Sequence, residues 1–412
     1  MLKMLNRAKS AGLASGKLML GLAVGLFVFA AFADDGFAYD VAAYVWPAYH
    51  NEPRWKELGL FADGKGEWQN LYEAEKRFPD DHWGVKPLWG YEDESDPVVA
   101  ARKIDAATAA GVNVFIFDWY WYGGRPFLES ALNDGFLKAA NCKRMKFFLM
   151  YANHNVDRLW DNRIGSDRKK EVVWPAKITD EDWRTIVNRW ISRYFKQTNY
   201  YRIKGCPVLS LFEPGGFIAW NGLDKAKERI AYLREQVKAA GFPDVHLQVM
   251  AHQNRCYELG ADSYTLYNWL YRTRAYSKGA NALTYREWGE QALSFLEGLK
   301  TDAEKRGKVH FPTLSVGWDI NARYPKDDSY DIVHGANPQD FERFARQVKD
   351  WADDNIPAGF PKLITVNSWN EWTEGTYLEP DDLFGYGYLD ALRTVFVTET
   401  QSKTAKKENG KP

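Results

Sequence analysis

The chain has 412 residues with 54 Lys+Arg against 55 Asp+Glu, a balance that argues against a nucleic-acid binder and against any protein working through a large uniform field. Hydrophobic residues make up 45% and charged residues 26%, ordinary globular composition that excludes wholesale disorder. The departure lies in 18 Trp, 23 Tyr and 23 Phe, a density that asks for stacking faces on the surface as well as in a core, and the apolar C–H faces of sugar rings are the commonest reason for such faces.

In chain order, residues 1–33 read as a secretory signal. Lys3, Arg7, Lys9 and Lys17 form a basic region without an acid, and Leu18 to Phe32 is apolar. Ala31-Phe32-Ala33 then puts small residues where signal peptidase reads, with cleavage after Ala33. The expected destination is secreted or periplasmic, with an uncleaved N-terminal anchor as the rival. No other segment approaches the ~20 apolar residues of a membrane span. Cys142, Cys206 and Cys256 allow at most one disulfide and lack metal-ligand spacing.

From there one rhythm runs to the end, a short apolar β-rich run followed by a helical stretch. Asp40 to Trp46 is the first strand, followed by a long aromatic insertion. The next helix covers Pro97 to Ala110, with Asp96-Pro97 as N-cap and first-turn proline and Gly111 as the stop. Val112 to Phe117 is a buried strand, with a helix near Phe127 to Ala140. Lys146 to Ala152 and Asp180 to Lys196 form the third pair, Pro207 to Phe212 and Leu223 to Ala240 the fourth. Val245 to Ala251 has only a short helix after it. Ser263 to Tyr267 precedes a long helix, Leu283 to Lys305. Phe311 to Gly317 with Pro338 to Asp353, and Lys362 to Val366 with Gly385 to Val397, complete the set.

Non-alternating apolar strands are buried on both faces, as in parallel sheets. Eight such units predict a single (β/α)8 barrel with inserted loops over residues 34–398, and a disordered polar tail over 399–412. A doubly wound sheet is the rival, but it expects a Gly-rich phosphate turn after the first strand. Here that strand runs into Trp46-Pro47-Ala48-Tyr49-His50.

In a barrel the catalytic groups sit at the carboxyl ends of the strands. After strand one come Trp46, Tyr49 and His50; after strand two, Asp118-Trp119-Tyr120-Trp121-Tyr122. Strand three is followed by Asn153 and His154, strand four by Glu213, strand five by His252. Tyr267, Asn268 and Trp269 end strand six, and Trp318 and Asp319 end strand seven. Strand eight delivers Trp369, Asn370, Glu371, Trp372, Thr373 and Glu374. Aromatics, carboxylates, imidazoles and amides at every end make up a saccharide cleft. Aromatics capping the barrel mouth as a second core layer are the bland alternative, but packing alone would not bring His and Asp there. If the second strand continues, Trp119 and Trp121 share one face and Tyr120 takes the other, with at least one of them facing the cleft.

Glu371 and Glu374 form the catalytic candidate. Glycosidic cleavage needs two acid/base groups in different protonation states, and two carboxyls sharing a tight turn repel, which raises the pKa of one. A lone Glu-x-x-Glu is usually a solvated helix face; its position after a barrel strand, among Trp369, Asn370 and Trp372, gives it meaning. No metal or cofactor site is legible, since His50, His82, His154 and His252 are scattered.

Asn370-Glu371-Trp372-Thr373-Glu374-Gly375, followed by Leu378-Glu379-Pro380, resembles the closing motif of glycoside hydrolase family 99, the endo-acting α-mannosidases. The chain is also similar to the related WbsX-type proteins often labelled glycosyltransferases, most closely at Phe117 to Gly124 and at Tyr151-Ala152-Asn153 with Arg158 and Trp160-Asp161. The likeness runs from about Tyr39 to Phe396. It implies a (β/α)8 barrel and a retaining reaction without a covalent enzyme intermediate. Glu371 would act as base on the sugar's own 2-hydroxyl, giving a 1,2-anhydro sugar, and Glu374 as acid toward the leaving oxygen and then base toward water. The WbsX-type motif after strand three usually continues with Glu and an aromatic, where this chain has His154, Asn155 and Val156. The resemblance therefore leaves the sugar open.

Three functions compete: a secreted endo-glycosidase on α-mannoside-like glycans, a glycosyltransferase of polysaccharide synthesis, and a non-catalytic glycan-binding barrel. A secreted chain meets no nucleotide-sugar pool and no strand ends in Asp-x-Asp, which disfavours the second. The third would not need the acid pair. The expected partner is a poly- or oligosaccharide, with no nucleic acid.

Overall fold

The computed structural model describes residues 37–77, 85–165, 167–168, 170–251, 255–272, 283–325, 330 and 332–397. The expected signal and tail, and the histidines His82 and His252, lie outside them.

The described strands form a parallel barrel. In chain order they are β1 (Asp40–Val45), β2 (Val112–Tyr122), β3 (Lys146–Tyr151), β4 (Cys206–Leu211), β5 (His246–Met250), β6 (Ser263–Thr265), β7 (Val309–His310 with Thr313–Ser315) and β8 (Leu363–Asn367). Each pairs in parallel with its neighbours, and β8 returns to β1. Closure falls on β7, whose first half pairs with β6 and second half with β8. The break between the halves is at Phe311-Pro312, where proline has no N–H for a ladder. Side chains mend it: Thr313 Oγ1 donates to Leu266 O at 2.9 Å and accepts from Leu266 N at 3.2 Å, and the hydroxyls of Thr265, Thr313 and Thr365 lie within hydrogen-bond distance of one another.

The helices α1 (Pro97–Ala109), α2 (Asp180–Arg189), α3 (Pro214–Asn221), α4 (Leu223–Ala239), α5 (Tyr285–Ser294), α6 (Leu296–Glu304), α7 (Pro338–Asn355) and α8 (Gly387–Phe396) follow the strands. Asp96 caps α1 as its sequence announces, accepting from Val98 N at 2.8 Å.

The expected helix Asp180 to Lys196 passes into a π-helix at Trp190–Phe195, and the helix Pro214–Asn221 was not expected. Three further stretches depart from the expected elements. The region expected as a helix near Phe127 to Ala140 is a π-turn (Ala131–Gly135) running into a 3-10 turn (Phe136–Lys138). A Cβ at Gly135 would lie 2.1 Å from Glu94 O, so close packing fixes the glycine and this breaker-rich run. The long helix of Leu283 to Lys305 is divided at Phe295, just after Ser294 Oγ turns back onto Gln291 O at 2.6 Å. Finally, β2 continues through the aromatic run to Tyr122 and folds back as a hairpin onto Arg125–Phe127.

That extension sorts the run by parity. Phe115 and Phe117 pack on Phe136, and Trp119 on Trp190 (ring centroids 5.3 Å) in the helix layer. Asp118 and Tyr120 face the barrel mouth. Among the described residues no helix is long and apolar enough to cross a membrane, and no disulfide joins the three cysteines.

Candidate active site

A cleft of about 620 Å³ opens at the carboxyl ends of the strands. Of the residues expected there, Trp46, Asp118, Tyr120, His154, Glu213, Tyr267, Trp318, Glu371 and Glu374 line it, as does Asn268.

The motif after β8 is built as a small hairpin. Asn370–Glu371 pairs antiparallel with Thr376–Tyr377 around a 3-10 turn, Trp372–Glu374. Gly375 closes the turn with φ 61°, and a Cβ there would meet Asp319 Cβ at 2.9 Å. Ser368 Oγ accepts from Glu371 N at 2.8 Å and donates to Thr376 O at 2.7 Å, locking both arms. Parity within the hairpin sends Glu371 into the cleft and Asn370 and Trp372 away from it.

Both glutamates are buried beside one cation. Arg323, 2% exposed, bonds Glu374 Oε1 through Nη1, places Nη2 3.5 Å from Glu371 Oε1, and donates from Nε to Glu67 Oε1 at 2.7 Å. Tyr267 donates to Glu371 Oε2 at 2.7 Å, and its hydroxyl lies 3.3 Å from Asp118 Oδ2. One guanidinium cannot neutralise so many carboxyls. Burial, and then the neighbouring Glu371 charge, push Glu374 well above the ordinary carboxyl range, against the pull of Arg323. Glu371 is raised too, by burial, but Arg323 and the Tyr267 hydrogen bond hold it back. Of the two carboxyls, each of which shifts the other, Glu374 is raised the more. Asp118 is also driven well up by burial and by Glu371. The arrangement pushes the two carboxyls up by different amounts, Glu374 the further, and paired acid and base chemistry needs such a difference.

The remaining expected residues stand elsewhere. Trp119 and Trp121 lie on the outer face of β2, donating to Glu129 Oε1 at 2.7 Å and Asp182 Oδ1 at 3.0 Å. Tyr49 stacks on Trp68 at 4.0 Å, and His50 is buried 3.8 Å from Glu52. Asn153 clips the Glu213 backbone with two hydrogen bonds, at 2.9 and 2.8 Å. Trp269 packs among Tyr285, Trp288 and Phe344, and Trp369 against Phe115. Asp319 caps the Asn321 turn, and Asn370 bonds the Trp46 backbone and Glu94. Each is consumed by structure just behind the cleft wall. His252 falls outside the described residues.

Sequence reasoning missed Arg323, Glu67, Trp160 and Trp220. Glu67 and Arg323 come from the insertion after β1 and a turn after β7, 256 residues apart, and no local pattern marks either. Trp160 and Trp220 line the cleft from beyond β3 and β4; Trp160 stood among the residues that carry the WbsX-type likeness but was not placed in the cleft, and Trp220 had only its residue type as a signal. Among the described residues, no group of three or more His, Cys, Asp or Glu could hold a metal ion.

A family model described as "Glycosyltransferase WbsX" matches residues 41–392. Two curated relatives, each an "Uncharacterized protein WxcX" from a strain of Xanthomonas campestris pv. campestris, are 25% identical over 359 residues, 86% of this chain and 49% of theirs. The chain thus spans about half the length of the curated relatives it matches. Among solved structures, a "Glycoside hydrolase-like protein" superposes with a TM-score of 0.54 at 16% identity, covering 89% of this chain and 96% of that one. The GH99 endo-alpha-mannosidase from Bacteroides thetaiotaomicron gives 0.52 at 13%, covering 92% and 99%. At these identities the likeness is one of fold alone, a (β/α)8 barrel.

Proposed function

The chain belongs to the WbsX glycosyltransferase family, a family of glycan-active enzymes, and from that premise we propose that it is a secreted retaining endo-glycosidase acting on α-mannoside-like glycans. The observation that carries this reading is the pair Glu371 and Glu374, both beside Arg323 in an aromatic-lined cleft, with Glu374 the more strongly raised of the two. Glu371 takes the proton of the substrate 2-hydroxyl as that oxygen attacks C1, and the C1–oxygen bond to the leaving group breaks. Glu374 gives its proton to the departing oxygen. The Glu374 carboxylate then takes a proton from water, which opens the 1,2-anhydro sugar at C1, while O2 recovers its proton from Glu371. Two carboxyls that leave one tight turn and share Arg323 support this route, because the pair of an ordinary retaining enzyme flanks the scissile bond. Tyr120, Trp46, Trp160 and Trp220 would offer ring faces to the sugars, and His154, which burial holds below its ordinary value, a neutral imidazole.

Transfer to a sugar hydroxyl instead of water would use the same pair, and the family's description favours keeping that reading second. A panel of neutral and charged glycans with product analysis, run on the wild type and on Glu374→Gln, tests both. Turnover of unactivated substrates is expected to fall at least ~10²-fold in the variant, with glycosyl fluorides partly spared because fluoride needs little protonation. Equal loss on both substrate kinds overturns the role of Glu374. A 2-fluoroglycosyl ester found on Glu371 by mass spectrometry restores the ordinary double displacement.

A further inference from the structure

Behind the acid pair lies a second buried charge cluster that the proposed reaction does not use. Its centre is Lys103, which occupies the apolar stripe of α1 with Ala100, Ile104 and Ala107 and is 6% exposed. Its ammonium bonds Glu94 Oε1 and lies 2.6 Å from Glu379 Oε1. Each carboxylate reaches on to one neighbour of Glu371. Glu94 Oε1 accepts from Asn370 Nδ2 at 2.8 Å, and Glu379 Oε2 accepts from Trp372 Nε1 at 2.8 Å. Asn370 also bonds the Trp46 backbone in both directions, each at 2.8 Å, while Trp372 stacks on Tyr377 with centroids 3.7 Å apart. The residues on either side of Glu371 are therefore tied to one point on α1, from the face opposite the cleft.

We propose that Lys103 is a positioning residue: through Glu94 and Glu379 it fixes Asn370 and Trp372, and so holds Glu371 and Glu374 side by side at Arg323. The proposal rests on reading Glu371 and Glu374 as the reacting pair. Stability alone does not account for the cluster, since a buried ion pair seldom outperforms well-packed apolar side chains of the same volume. What a buried polar network supplies is orientation, and this one is attached where a displacement of about 1 Å in a carboxyl would matter. Charge is consistent with a working network. Burial pulls Lys103 down, but Glu379 and Glu94 outweigh it and hold the ammonium above its ordinary value. Glu94 is pushed up to about 7 by burial, against the pull of Lys103.

The test compares the wild type with Lys103→Met/Glu379→Leu, which removes one positive and one negative partner together and leaves no extra uncompensated charge. The primary readout needs no substrate: the titration of the Glu374 carboxyl, followed by 13C NMR of side-chain-labelled glutamate and assigned with Glu374→Gln. In the variant the turn relaxes away from Glu371, and the Glu374 protonation constant is expected to fall at least tenfold while the melting curve stays cooperative. A Glu374 titration within twofold of the wild type in a folded variant overturns the proposal. Trp372→Phe, which keeps the ring on Tyr377 and loses only the indole N–H, is expected to move the same titration in the same direction by less. It decides the matter alone if the double variant does not fold. On an α-mannobiosyl fluoride the double variant should lose about tenfold in kcat with KM within twofold. A wild type that cleaves no glycan counts against the hydrolase reading, while the Glu374 titration still judges the tether.

Discussion

At the residue scale, Arg323 carries the largest electrostatic responsibility. It is the cation shared by Glu67, Glu371 and Glu374, all of them buried. Arg323→Met should cost about 3–5 kcal/mol of stability, the usual consequence of leaving buried carboxylates without their partner, measured by urea unfolding at neutral pH. The same substitution removes the interaction that pulls both glutamates down, so the acid limb of the activity profile, which in the proposed reaction reports ionisation of Glu371, should move to higher pH. Tyr267→Phe, which deletes only the 2.7 Å hydrogen bond to Glu371 Oε2, should shift that limb in the same direction and reduce turnover about tenfold or more. An unshifted limb in Tyr267→Phe would mean that Glu371 is not the base. Glu371, Glu374 and Tyr267 were legible at the strand ends, but Arg323 was not: an arginine in a loop is normally solvated, and Asn321-Ala322-Arg323 has no feature that sets it apart.

At the scale of elements, the hairpin after β8 and the extension of β2 decide what the cleft contains. The hairpin turn depends on Gly375, whose positive φ and close approach to Asp319 leave no room for a side chain. Gly375→Ala should destabilise by about 1–3 kcal/mol and cost more activity than its stability loss explains, because Glu374 is the residue before it; calorimetry beside initial rates makes the comparison. In β2, parity was readable from Phe117-Asp118-Trp119-Tyr120-Trp121-Tyr122, and the alternation holds. Which parity faces the mouth was not, since both sets are aromatic and the hydrophobic pattern cannot separate a ring in a core from one in a cleft. The answer comes from the helix layer, where Glu129 and Asp182 take the indole N–H groups of Trp119 and Trp121. Lys103 had a signal that could have been used, a lysine in the i, i+3, i+4, i+7 stripe of an otherwise apolar helix face.

At the scale of the whole molecule, buried charge makes stability depend on pH. Glu94 is held at about 7 in the fold against an ordinary 4.5. The folded state therefore keeps a proton the unfolded chain has lost, so this stabilising contribution is complete below about pH 4.5 and fades as pH rises to about 7. Lys103, held above its ordinary value, contributes evenly across that window. Urea unfolding between pH 4.5 and 8 should show the wild type losing stability relative to Glu94→Gln over this range, then running parallel to it; no difference in slope would place Glu94 in contact with water. The sequence by itself determined the eightfold alternation, the barrel, and the concentration of acids and aromatics at the strand ends, because hydrophobic period, caps and strand order are local properties that a parallel barrel reads directly. Only the tertiary structure decided which of those residues share the cleft, that a distant arginine and Glu67 sit against the acid pair, and that β7 closes the barrel in two halves. Those facts depend on side chains hundreds of residues apart meeting in a buried volume, where burial and neighbouring charge, not residue type, set each group's protonation and partner.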